Sequence, residues 1–448
     1  MLEGLEICEV PFSRVIGNDI VRMESEFYNS NTVSYKNTVK ASQIIDFSQY
    51  GTSKELNEMG EGYPVLRLNE FNYSFISHPD KYCSLLDIDA YHGLQLKKDD
   101  VLICRTNGNP KFVGRSAIVP KDYDYAFASY LFRIRPNRKY INSATLVAFL
   151  NSKYGRLEIE KYSMVGNQAN FSPAKFREIS IPVFSKDLND KIEDITYRAF
   201  QKLEMSESLY SEAANNMLEC LDLNDFTASS NSCNVKTLKE SFIETGRLDA
   251  EYYQPKYDSL FEKLKGFPTA TIKEIATIQK SIEPGSDAYQ EEGIPFIRVA
   301  NLSKFGLSNS DVKLDTTQFA DTIRPQKDTI LLSKDGSVGI AYKMEETQDV
   351  ITSSAILHLQ LTTPNVLPDY LTLVLNSIVV KLQAERDAGG SIIQHWKPSV
   401  IEHVIIPILP MNEQQMIANK IKQSFKMRED TQDLLLQAKC IIETAIEK

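Results

Sequence analysis

Leu150-Asn151-Ser152 returns as Leu375-Asn376-Ser377, 225 positions further along the chain. The same shift lays Arg22, Glu26, Phe27 and Tyr28 on Arg247, Glu251, Tyr252 and Tyr253. It also lays Val113-Gly114 on Val338-Gly339, Pro173 on Pro398, Ile181-Pro182 on Ile406-Pro407 and Ile192 on Ile417. The register is read as 225 from near residue 10 to near residue 217, with one drift between, where Pro64 and Arg67 meet Pro295 and Arg298 at a shift of 231. Chance matches do not hold one register across so many anchors. A repeat of this length is a duplicated domain rather than a solenoid unit. Two such halves suit a ligand that is itself two-sided.

Length and composition agree with several domains. The chain has 448 residues, 42% of them hydrophobic and 25% charged, which is ordinary for a globular protein. The formal charge of −10 excludes a uniformly basic surface but not a local one. Six scattered cysteines without a C-x-x-C pattern argue against a disulfide framework or a zinc finger. The N-terminus MLEGLEICEV lacks the charged start and apolar middle of a signal peptide, and no apolar run reaches a membrane-spanning length. A cytoplasmic, reducing compartment is the expectation.

Each half reads alike. Short strands come first: Val101–Cys104 and Thr329–Leu332, each led by an aspartate (Asp100, Asp328) and closed by the turn dipeptides Asn107-Gly108 and Asp335-Gly336. A helix follows, over 143–154 in one copy and 368–381 in the other, and then a strand ending in Ile-Pro. Each half ends in a long helix, over about 187–221 and 412–446, with apolar residues mostly three and four apart and no Pro or Gly. Helices of about 50 Å outgrow one core. The expectation is that they pair, through Ile192, Ile195, Leu203 and Met217 on one and Ile417, Ile421, Phe425, Leu435 and Ile442 on the other. The alternative is that each caps its own domain. Thr227–Asn234 is a linker by composition.

The fold expected is α+β: two duplicated domains with mixed β-sheet, separated by two long antiparallel helices forming a coiled pair. The boundaries are 1–185 for the first domain, 186–224 for its helix, 225–240 for the linker, 241–410 for the second domain and 411–448 for its helix.

Catalytic signatures are missing. There is no phosphate-cradling G-x-x-x-x-G-K-[ST], no G-x-G-x-x-G and no G-x-S-x-G. Asn107-Gly-Asn109-Pro110 is followed by Lys111-Phe112, which breaks the Asn-Pro-Pro-aromatic pattern of amino-methyltransferases. Pro79-Asp80 has no Glu-x-Lys partner for a nuclease.

Recognition residues are more evident. From Val101 to Ser180 thirteen Lys and Arg stand against five Asp and Glu, a local net of +8. Basic residues beside Tyr, Phe, Asn and Gln suit a face that neutralises phosphates and reaches base edges, with a solvated sheet face as the plain alternative. Two pairs of matched segments concentrate them. One pair is Arg105, Thr106 and Asn107, with Lys111 and Arg115 beyond, against Ser333, Lys334 and Ser337. The other is Gln168 and Asn170 against Gln394, His395 and Lys397, where the alternative is an N-cap and turn. Arg67 and Arg298 join the candidates, whereas Phe171 and Trp396 read as core plugs. No metal site is expected.

Ile406-Pro-Ile-Leu-Pro410-Met-Asn-Glu-Gln414-Gln-Met-Ile417-Ala-Asn-Lys-Ile421, and Ile294-Pro-Phe-Ile-Arg-Val299 followed by Lys334-Asp-Gly-Ser-Val-Gly339, resemble the DNA-specificity subunits of type I restriction-modification systems. The duplication carries the resemblance over nearly the whole chain. In the first copy Ile181-Pro-Val-Phe-Ser-Lys-Asp-Leu-Asn-Asp190 lacks the second Pro and the Glu-Gln. The resemblance implies two target-recognition domains, each reading half of a split, asymmetric DNA sequence. It implies a non-catalytic chain on which two methyltransferase subunits dock, using S-adenosylmethionine, and on which restriction subunits dock, using ATP and Mg. A methylation-only or phage-defence complex, and a protein-interaction scaffold without DNA, are the rival readings.

Overall fold

The computed structural model describes residues 9–16, 37–163, 169–227, 233–389 and 394–448. By contacts the chain forms two units, one of Met1–Glu204 with Met427–Lys448 and the other of Met205–Lys426. The fold class is α+β.

In the first unit a four-stranded antiparallel sheet has the order Ile45–Tyr50, Leu131–Pro136, Val101–Cys104, Ser116–Ile118. A smaller three-stranded sheet sets Tyr63–Leu66 between Ala126–Phe127, which is parallel to it, and Tyr82–Cys83, which is antiparallel. Ser180–Pro182 closes the unit against Thr38–Lys40.

The second unit has the same topology. Its larger sheet runs Ala276–Lys280, Ile356–Leu361, Ile330–Ser333, Ala341–Lys343. Its smaller sheet sets Ile294–Ile297 between the parallel Ile351–Thr352 and the antiparallel Lys313–Leu314. Ile405–Pro407 closes it against Thr269–Thr271.

The structure corrects the repeat register. The shift is already 231 at the strand pair Thr38–Lys40 and Thr269–Thr271, and it holds at 231 through Phe75–Ile76 and Gly306–Leu307. It becomes 229 at the central strands, Val101–Cys104 and Ile330–Ser333. The equivalent leading residues are thus Asp99 and Asp328, both with positive φ (68° and 62°), rather than Asp100 and Asp328. In a strand a one-residue slip exchanges the two faces, so this difference decides which side chains enter the core.

The single helices expected after these sheets are each two. Ser143–Leu150 and Lys153–Tyr162 form one pair, and Pro368–Leu375 and Ile378–Asp387 the other. The break is the repeated Leu-Asn-Ser itself. Ser152 and Ser377 cap the second helices by accepting from Gly155 and Val379 N–H. Asn151 Nδ2 donates to Ser116 O (2.9 Å) and its Oδ1 accepts from Ser116 N–H (3.3 Å). Asn376 does the same to Ala341, at 2.8 and 3.0 Å. Each asparagine thus pairs with the edge of the large sheet as another strand would, and fixes the helix pair on it.

The long helices span Lys186–Cys220 and Met411–Glu447. Within the first unit, Thr431 Oγ1 donates to Ala199 O (3.2 Å) and Lys202 pairs with Asp430 (2.7 Å). Within the second unit, Ser424 Oγ donates to Ser206 O (2.7 Å), Lys420 pairs with Glu212 (2.5 Å) and Cys220 Sγ meets Glu413 (3.7 Å). In both units one number rises as the other falls, so the pairing is antiparallel. Side-chain hydroxyls reaching the facing backbone mean close approach, which small Ser, Thr and Ala residues permit.

The apolar stripe is shared with the domain cores. Ile192, Ile195, Leu203 and Ile442 are buried in the first unit's core, with Leu435 partly buried against it. Met217, Ile417 and Ile421 are buried in the second's, with Phe425 partly buried.

The first copy's missing Glu-Gln is compensated. Gln414 Oε1 accepts from Leu367 N–H (2.9 Å) and its Nε2 donates to Leu409 O (2.8 Å). At the same repeat position Asn189 Oδ1 faces Asn142 N–H (3.4 Å) and its Nδ2 donates to Ser185 O (3.1 Å).

Replacing Asn376 by Ala leaves two backbone groups of the second unit without partners, Ala341 N–H and Ala341 O, while Thr372 O keeps the backbone N–H of residue 376. The expected cost is about 2–3 kcal/mol, read as a lower midpoint of denaturant unfolding.

His358 is buried beside Thr352 (Nε2 to Oγ1, 2.8 Å), and burial pushes its pKa down to about 4. The unfolded chain, with an ordinary histidine near 6.5, binds the proton first. Stability is therefore expected to fall as pH drops from about 6.5 to about 4, by at most roughly 3 kcal/mol. His358→Gln should flatten that slope in unfolding titrations.

Candidate nucleic-acid interface

In both units the chain leaves the central strand and is at once pinned through its backbone. Arg105 N–H donates to Tyr130 O (2.7 Å) and Arg105 O accepts from Phe171 N–H (2.8 Å). Lys334 N–H donates to Ala355 O and Lys334 O accepts from Trp396 N–H, both at 2.8 Å. The equivalence of Arg105 with Lys334 follows from these bonds. The segment before the closing helix is drawn to the turn by a buried aromatic, since Phe171 is 0% and Trp396 1% exposed. Their core role is as read from the sequence. Two segments more than sixty residues apart are thereby clamped side by side.

In the first unit the clamp continues as a two-stranded ladder, with Thr106 opposite Asn170 and Asn107 opposite Ala169. Asn107 Oδ1 accepts from Asn109 N–H (2.8 Å), and Asn109 Oδ1 from Lys111 N–H (3.0 Å), so the turn is held by its own amides. Around it stand cations and exposed aromatics. Arg105 lies over the Tyr50 ring (5.3 Å) and Arg115 over the Phe112 ring (5.2 Å). Lys175 Nζ donates to Asn170 O (3.0 Å), and Arg156 donates to Val113 O (2.8 Å) and Lys111 O (3.3 Å). Tyr50, Phe112 and Tyr130 are exposed. Arginine on an aromatic face beside open rings offers both phosphate contact and stacking.

In the second unit the turn is tighter, with Gly336 at φ 72° and its N–H donating to Gln394 O (2.9 Å). Ser333 is fully buried and spends its hydroxyl inside the turn, donating to Ser337 O (2.6 Å) and accepting from Ile340 N–H (2.8 Å). Ser337, Gln394, His395 and Lys397 are exposed. Lys334 is turned to Asp335, and Asp335 Oδ1 lies 2.9 Å from His395 Nδ1.

Three candidates lie elsewhere or outside the described residues. Arg67 binds Glu70 (2.8 Å) and Asp80 before the short helix Leu68–Glu70. Arg298 is exposed before Val299–Asn301, its N–H donating to Asn301 Oδ1 (3.1 Å). Gln168 lies outside the described residues.

The local charge of +8 shrinks once partners beyond the counted stretch are included. Asp100, fully buried, binds both Arg133 (3.0 Å) and Arg135 (2.5 Å). Arg138 pairs with Asp99 (2.9 Å) and Glu193 (2.7 Å), Lys121 with Glu204 (2.5 Å) and Lys153 with Glu447 (2.6 Å). At least five of the thirteen cations therefore form ion pairs within the fold. Arg133, which burial pulls below the usual guanidinium range against the pull of Asp100, also donates to Gly93 O and Gln95 O. Burial raises the Cys104 thiol to about 11, which makes it a poor nucleophile.

Tyr50, Tyr130, Arg156 and Asp335 were not singled out from the sequence. Only Asp335 carried a signal, as the first residue of a turn dipeptide. The other three come to the clamp from a distant strand, a turn and a helix.

Residues 265–436 match the family model described as the Type I restriction modification DNA specificity domain. The type I restriction enzyme StySPI specificity subunit of Salmonella potsdam is 24% identical over 135 residues, 30% of this chain and 29% of that protein. The matched stretch thus spans less than a third of that relative's length. Among solved structures, the type I restriction-modification S subunit from M. genitalium is similar over 93% of this chain and 96% of its own, at 12% identity and a TM-score of 0.40. The HsdS subunit from Thermoanaerobacter tengcongensis is similar over 92% and 96%, at 13% identity and a TM-score of 0.31. The resemblance of the chain to type I specificity subunits rests on the family match and the curated relative. No helix among the described residues is long and apolar enough to cross a membrane.

Removing the buried anion tests its structural share. Asp100→Asn leaves Arg133 buried without its counter-charge, at an expected cost of about 3–5 kcal/mol. Thermal melting should show this loss.

Proposed function

We propose that this chain is the DNA-specificity subunit of a type I restriction-modification complex and carries no catalysis of its own. The observation that carries the reading is the same backbone clamp in both units, on a chain whose second half matches the specificity-domain model. Each clamp brings together two polar segments beside a cation, and each reads one half of a bipartite DNA target. The side chains at equivalent positions differ, Thr106 against Asp335 and Asn170 against His395, so the two halves differ and the target is asymmetric. Phosphate contacts from Arg105, Lys111, Arg115 and Lys397 position each unit, and base-edge contacts from the clamped segments specify. The long helices hold the half-sites at one spacing and offer the docking surface for two methyltransferase subunits and for restriction subunits. S-adenosylmethionine, ATP and Mg belong to those partners.

Co-expression with the methyltransferase subunit encoded beside it, in a methylation-free bacterium, followed by modification-sensitive long-read sequencing, should reveal methyl-adenine in one split motif with a fixed gap. Both proteins folded and associated without any modified motif would sink the proposal. With that complex, Arg105→Ala and Lys111→Ala should each weaken binding to duplex DNA. Each should also lower the slope of log affinity against log salt by about one, in titrations at several salt concentrations.

A further inference from the structure

The two clamps differ in kind at one place. Where the first unit presents the neutral Thr106 and Asn170, the second presents a carboxylate and an imidazole in contact, Asp335 Oδ1 to His395 Nδ1 at 2.9 Å. The pair is not a packing device, because the His395 side chain is 62% exposed and an ion pair so open contributes little to stability. Nor does Asp335 require the histidine, since Lys334 already neutralises it. That same lysine disfavours a metal ion on the carboxylate.

The ring is nevertheless held in place. His395 exchanges backbone hydrogen bonds with Gly389 (2.7 and 3.1 Å), its neighbour Gln394 accepts from Gly336, and its other neighbour Trp396 is buried. Burial raises the Asp335 carboxyl, but its hydrogen bonds from Lys334 and His395 outweigh this and hold it below the usual range, so it is an ionised acceptor. An acceptor at Nδ1 requires the ring proton there, and in the neutral ring Nε2 is then a bare acceptor turned away from Asp335.

We infer that His395, oriented by Asp335, is a base-reading residue of the second unit, its Nε2 accepting from an exocyclic amino group of adenine or cytosine in the major groove. The inference rests on the DNA-reading function proposed above and adds a named reader with its positioning residue. A fixed tautomer gives one defined hydrogen-bonding role, whereas a free histidine offers donor or acceptor alike.

The test uses the full chain with its methyltransferase subunits and maps methylated motifs for wild type, His395→Ala, Asp335→Ala and His395→Gln. The His395→Ala and Asp335→Ala variants should relax the same single base position of the same half-site, on the order of tenfold in discrimination. The other half-site and the gap should be unchanged. His395→Gln, which keeps an acceptor, should retain part of the preference. An unchanged motif in His395→Ala, relaxation at different positions in the two alanine variants, or a uniform loss across all positions would overturn the inference while leaving the DNA-specificity reading standing. A wild-type complex that methylates no split motif would overturn both.

Discussion

Backbone groups taken out of water must find partners, and each unit meets that demand with side-chain amides at repeat-equivalent positions. Asn151 and Asn376 pair with the sheet edge at Ser116 and Ala341. Asn189 and Gln414 hold the start of each long helix against the residue before the shorter helix pair, Asn142 and Leu367. Sheet, short helices and long helix are thus locked together by a few side-chain amide contacts, partly or fully buried, with apolar packing around them. The tips depend on the same frame, because Arg105 and Lys334 are pinned between strands and loops that the frame positions.

Rigid frames with variable tips separate two tasks. The clamp is made by backbone atoms and a buried aromatic, so the side chains that point outward are free to differ. The first unit uses them for arginine, amide and exposed tyrosine; the second for an aspartate–histidine pair in a glycine turn. Charge is divided in the same way. Cations that lock the fold find carboxylates in distant elements, as Arg133 and Arg135 do at Asp100, while Arg105 and Arg115 lie on aromatic rings at the tip.

The duplication, the α+β class, the two long helices and the buried Phe171 and Trp396 were legible in the sequence. The repeat itself and the apolar period survive in the order of residues, because core faces constrain residue type at regular spacing. The Asp335-Gly336 turn was legible too, since Gly336 takes the positive φ that a tight turn asks of glycine, whereas Asn107-Gly108 continues a short strand and Gly108 has no such angle. The break inside Leu-Asn-Ser was not, because an amide that bonds to a strand 35 residues away looks like any helix-surface asparagine until the strand is in place.

Residue order alone, then, was enough to tell that one architecture occurs twice and to pick out the polar turn segments that folding clamps side by side in each unit. Tertiary structure decided the shift of 229 at the central strands, the equivalence of Arg105 and Lys334 and the withdrawal of at least five cations into ion pairs. The physical reason is range. Local periodicity and turn chemistry act between neighbours in the chain, whereas ion pairs and clamps join groups that folding alone makes neighbours.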